Sequence, residues 1–62
     1  MQTLRYQLHK AVRHEEALLN YYRRTIDELK NEEVTSCLSK YLKEGEARIT
    51  KIKELLRKHC SG

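Results

Sequence analysis

Apolar residues recur along the first half of the chain at Leu4, Leu8, Ala11, Leu18, Tyr22, Ile26 and Leu29, in steps of three and four with a gap at position 15. Val12 and Leu19 widen this stripe. A spacing of this kind predicts an amphipathic helix with a near-heptad, coiled-coil-like period. A second run, Val34, Leu38, Tyr41, Leu42, Ile49, Ile52, Leu55 and Leu56, predicts another, with a small or polar residue at 45 and 48. One continuous helix is the competing arrangement, because no Gly or Pro interrupts residues 4–44. The periodicity opposes it. Continuing the first stripe would need apolar residues at 32 or 33 and at 36, and those positions hold Glu32, Glu33 and Ser36.

The stripe breaks at Lys30-Asn31-Glu32-Glu33 and restarts at Val34. Asn31 tolerates a left-handed C-cap and is also a good N-cap. Glu32 and Glu33 suit the first turn of a second helix, and Lys30 the last turn of the first, by the sign of the helix dipole. The expected boundaries are a helix at about 3–30, a turn near Asn31 and a helix at about 32–59. Residues 1–62 thus form a single helical hairpin.

Length changes the picture. A chain of 62 residues buries only about 60% of the surface its unfolded form exposes, so a lone core is marginal. Hydrophobic residues are 39% of the chain, without Trp or Phe. Small chains of this kind need a staple, a metal or a partner. Cys37 and Cys60 offer neither a disulfide framework nor ligand spacing for zinc, and they read as free thiols. Cys60 is a candidate for cross-linking two chains under oxidation. A second copy is the expected partner. Val12, Leu19 and Ile26 flank one seam, and Leu42, Ile49 and Leu56 flank the other, at seven-residue intervals. The predicted fold class is therefore all-α: a two-helix antiparallel hairpin that dimerises into a four-helix bundle. Its core and dimer contacts are expected from Leu8, Val12, Leu18, Leu19, Tyr22, Ile26, Leu38, Leu42, Ile49, Ile52 and Leu56.

Folding about Asn31 sets Leu29 opposite Val34, Tyr22 opposite Tyr41, Leu18 opposite Gly45, Ala11 opposite Ile52 and Leu8 opposite Leu55. The same register sets Glu15 opposite Arg48. Each interrupts an otherwise apolar seam, and an ion pair between them would fix register and antiparallel pairing. It need not add stability, because desolvation offsets the attraction.

The segment Ala11-Val12-Arg13-His14-Glu15-Glu16-Ala17-Leu18-Leu19-Asn20-Tyr21-Tyr22 resembles the first helix of rubrerythrins and other ferritin-like proteins. There a small residue precedes a metal-binding Glu and then an aromatic. Leu38-Ser39-Lys40-Tyr41-Leu42-Lys43-Glu44-Gly45-Glu46-Ala47-Arg48-Ile49 is similar to the second helix of that family, which carries Glu-x-x-His for a di-iron centre. Two-helix, self-associating encapsulated ferritins are similar in architecture. The resemblance implies a hairpin that forms half of a bundle. It places Glu15 on the first-helix ligand position and Gly45 and Arg48 where the family has Glu and His. Glycine has no donor, and a guanidinium has no lone pair for a metal. No intact di-iron site and no cofactor are therefore expected. Iron is the alternative, with Glu15, Glu44 and Glu46 as fallback ligands.

Thirteen Lys and Arg against nine Asp and Glu give a formal charge of +4. Asp27, Glu28, Glu32 and Glu33 crowd the middle, while Arg5, Lys10, Arg13, Lys51, Lys53, Arg57 and Lys58 lie toward the ends. Folding gathers the bases at one pole. Arg5, Lys10, Arg13, Lys51, Arg57 and Lys58 are the residues that would meet nucleic acid, with Tyr6 available to stack on a base. Small dimeric helical hairpins that regulate through RNA binding are similar in architecture, though not in motif. His14, Glu15 and Glu16 do not form the H-E-x-x-H of zinc proteases. His9 and His59 are expected on the surface near the open end, and the tyrosines at the core edge. Met1-Gln2-Thr3 leads straight into charged sequence and no apolar run approaches a bilayer span, so a cytoplasmic location is expected, away from membranes.

The functional expectation is a non-enzymatic module that acts through protein–protein interaction, first with itself and then with another helical protein. An RNA-binding regulator and an iron-binding or peroxide-reducing protein with ligands completed across the dimer are the alternatives.

Overall fold

A computed structural model of the chain describes residues 3–60. They form two helices, α1 (Leu4–Leu29) and α2 (Glu32–Cys60), packed against each other as a hairpin. The hairpin measures 45 × 19 × 13 Å and has a radius of gyration of 14.4 Å. A compact chain of this length has about 11 Å. Neither helix is long and apolar enough to cross a membrane among the described residues.

Local chemistry sets the helix ends. Thr3 caps α1, its hydroxyl accepting the Tyr6 N–H at 3.1 Å. Asn31 caps α2, its Oδ1 accepting the Val34 N–H at 3.0 Å while its carbonyl accepts Thr35 N–H at 2.8 Å. These bonds satisfy donors that a helix start leaves open. Glu32 and Glu33 occupy the first turn of α2, and Arg57, Lys58 and His59 its last, each on the side its charge favours.

The turn differs from expectation in one respect. Lys30 has left α1 and takes the left-handed conformation, with φ 48° and ψ 45°, its N–H donating to Ile26 O at 3.1 Å. No basic residue remains in the last turn of α1. An N-cap residue takes extended backbone. Once Asn31 serves as that cap, the reversal falls on the residue before it.

The seam also differs. The seam is made by Leu8, Val12, Glu15, Leu19, Tyr22 and Ile26 of α1 and by Leu38, Leu42, Gly45, Ile49, Ile52 and Leu56 of α2, all buried or half-buried. Both series advance in alternating steps of four and three, the period of a coiled-coil seam. Val12, Leu19, Ile26, Leu42, Ile49 and Leu56, expected as flanks, are thus central. Leu19, not Leu18, faces Gly45. A Cβ built on Gly45 would overlap Leu19 Cδ2 and lie 3.1 Å from both Cδ1 and Cγ. The missing side chain is the slot that Leu19 fills, and filling it rotates α1 toward its Val12–Leu19–Ile26 edge. Leu19 is consequently the most enclosed large side chain, 1% exposed.

Candidate assembly face

The rotation leaves the hairpin with two unlike broad faces. On one, Glu16, Asn20, Arg23, Glu46 and Thr50 border a shallow groove floored by Leu19 and Ile49. Arg23 spans it, donating to Asn20 Oδ1 at 2.9 Å and to Glu46 Oε2 at 3.2 Å. Both ends of that ion pair are well exposed, so it contributes little to stability.

The other face is apolar. The helical period carries positions 4, 11, 18 and 29 of α1, and 34, 41 and 55 of α2, to the far side of the seam. Leu4 is 56% exposed there, Leu18 41%, Leu29 59% and Tyr41 41%. Ala11, Val34 and Leu55 are half-buried beside them. Tyr22 and Tyr41 join the two helices, their ring centroids 6.0 Å apart with the planes tilted by 46°. Leu29 stands open at the turn, 59% exposed.

Glu15 and Arg48 meet in the middle of this face. Arg48 Nε donates to Glu15 Oε1. Glu15 lies low in the seam, its side chain 19% exposed, and Arg48 covers it from the solvent side at 54%. The long arginine stem spreads over apolar surface while its head stays wet.

Tyr41 has a second partner. The Cys37 sulfur, one turn earlier, accepts the Tyr41 O–H, which raises the phenol above its ordinary 10.0. The charge of a Cys37 thiolate, partial desolvation, Glu44 and Tyr22 push the same way. Cys37 is a free, exposed cysteine; the Cys60 side chain, and with it the cross-linking expectation, lies outside the described residues.

The remaining candidates are spread out. Glu44 and Glu46 are exposed, Glu46 is held by Arg23 and Glu15 by Arg48. The fallback ligands are therefore not brought together, and among the described residues no three His, Cys, Asp or Glu side chains are grouped to hold a metal ion. Of the nucleic-acid candidates, Arg5, Lys10 and Arg13 line one concavity with Thr3, Tyr6 and His9. Lys51, Arg57 and Lys58 are exposed on α2 at the same pole. His14 and His59 are also exposed. The Arg23–Glu46 and Cys37–Tyr41 contacts were among those not anticipated. The four-residue spacing of the second pair is a signal the sequence carries. No protein-family model, curated protein or solved structure matches this chain.

The hairpin as a whole exposes more surface than a compact chain of its mass. The chain presents 5194 Å² to solvent, whereas a compact monomer of 7.4 kDa presents about 4200 Å². Only Val12 and Leu19 form the fully buried apolar core among the described residues. The excess, on the order of 1000 Å², is of the size that one partner contributes to a standard interface, roughly 800 Å².

Proposed function

We propose that this chain is a non-enzymatic assembly module: a helical hairpin that associates with a second copy through its apolar broad face to form a four-helix bundle. One observation carries the reading. Leu4, Leu18, Leu29 and Tyr41 stand exposed on a single face of a hairpin in which, among the described residues, Val12 and Leu19 are the fully buried apolar side chains. Apolar burial is worth about 25 cal/mol per Å², so covering such a face is a main source of stability for so thin a fold. In this reading the module is of ferritin-like type without the di-iron centre. The Glu15–Arg48 pair occupies the level of the metal, and the guanidinium serves where the family uses cations.

Mass in solution, measured with metal content on one sample, tests it. A dimer at micromolar concentration, without stoichiometric iron after purification with added iron, is the expected result. A monomer would refute the assembly reading. Stoichiometric iron would refute the ligand argument and return Glu15, Glu44 and Glu46 to consideration.

A second reading has its own observation. Arg5, Tyr6, His9, Lys10 and Arg13 share one concavity on α1 at the basic pole. Cations around an aromatic suit a single-stranded nucleic acid. Binding of structured RNA or DNA that weakens steeply with salt would support it; salt-insensitive or absent binding disposes of it.

A further inference from the structure

The hairpin has a strong charge polarity along its length. The half at the open end, residues 3–15 and 48–60, carries eight Lys and Arg against two Glu. The half at the turn, residues 16–47, carries five against seven Asp and Glu. With histidines neutral, that is +6 at one pole and −2 at the other.

From this we infer that the second copy lies head to tail, with its turn against the open end of the first and a two-fold axis crossing the face at mid-length. The inference rests on the assembly reading above and adds the orientation to it. Two orientations bring the same face of both copies together. With both turns at one end, each +6 pole lies on another +6 pole. Packed helices are 8–10 Å apart, about one Debye length at physiological salt, so this repulsion is not screened away. Head to tail, each +6 pole lies on a −2 pole.

Side-chain sizes agree. At full overlap, Leu4 of one copy comes level with Leu29 of the other, and these are two of the most exposed large apolar residues. Ala11 comes level with Tyr22 of the second copy, small against large. Arg48 comes level with Glu44 of the second copy, across the face itself. The broad face, 45 by 19 Å, is about 850 Å² in projection, close to the roughly 800 Å² per partner of a stable interface. Each broad face carries one ion pair, Arg23–Glu46 on the opposite face and Glu15–Arg48 on this one; what sets this one apart is the exposed Leu4, Leu18, Leu29 and Tyr41.

Spin labels distinguish the orientations. One label goes on Glu32→Cys, at the start of α2, in a full-length Cys37→Ser, Cys60→Ser chain whose helicity and mass are checked first. Position 32 lies 14 residues from the middle of α2. Head to tail, the two labels are therefore about 40 Å apart. With turns together they are separated by about 20 Å, two helix diameters. A dimer with the long distance is the expected result. A dimer with the short distance overturns the orientation and leaves the assembly reading standing. A monomeric mass, with helicity intact, overturns both.

Discussion

Gly45 and Leu19 are the residues through which the seam finds its register. Alanine at 45 would gain about 1 kcal/mol of helix propensity. It would also press on three Leu19 atoms at once, and overpacking costs about 1–3 kcal/mol. Gly45→Ala is therefore expected to destabilise by roughly 1 kcal/mol, checked by denaturant unfolding at one fixed chain concentration. In a Leu19→Ala background the clash is gone and the same change should stabilise, a reversal that separates packing from propensity. The Glu15–Arg48 pair is expected to matter less. In the single hairpin Arg48 is half in solvent, so in a Glu15→Gln, Arg48→Met cycle run at chain concentrations below those that form dimers the coupling should fall below about 1 kcal/mol. Tyr41 carries a pH prediction. Its raised phenol means that the folded state favours the neutral form. Whatever stability follows is present below the ordinary value and is lost as pH rises through the raised one, above 10.0. Phenolate absorbance, read as the difference from Tyr41→Phe, should titrate above 10.0. Cys37→Ala should move it back down, because the thiol is the largest cause.

At the scale of the element, the turn is a three-residue decision. Leu29 ends α1, Lys30 reverses the chain and Asn31 starts α2. A left-handed residue with a Cβ costs about 1–2 kcal/mol, and Lys30 holds that conformation at φ 48°. Lys30→Gly should raise stability by about 0.5–1 kcal/mol, since glycine's greater unfolded-state freedom offsets part of the relief. Asn31→Ala removes the acceptor for Val34 N–H and should cost about 1 kcal/mol. Thermal unfolding of the two variants side by side checks both signs. That the chain turns near Asn31 was legible in the broken stripe. Which residue took positive φ was not, because Asn31 suited both roles and only the closed turn distributes them.

The whole molecule is thin, elongated and polar end to end. Its two faces differ because the apolar stripe on α1 is wider than one neighbouring helix can cover. Leu18 is the informative position, since it belongs to the stripe yet lies outside the seam. Under the proposed assembly, Leu18→Lys should leave the helices of the hairpin formed and raise the dissociation constant of the proposed dimer by at least about tenfold, the equivalent of 1.4 kcal/mol. Sedimentation or light scattering across a dilution series measures it, with circular dichroism as the control for folding. A variant that loses helicity at every concentration would show instead that Leu18 supports the hairpin itself.

By itself the sequence determined two helices, the place of the break between them and the antiparallel pairing. All three follow from local periodicity, capping chemistry and the short connection. It also set Glu15 level with Arg48, because level depends on counting residues from the turn. The rotation of each helix about its own axis was decided only in three dimensions. Apolar residues span a wide arc of α1, and any part of that arc could have faced α2. Packing Leu19 into the slot above Gly45 selected one edge, turned Leu18 outward and separated an apolar broad face from a polar one.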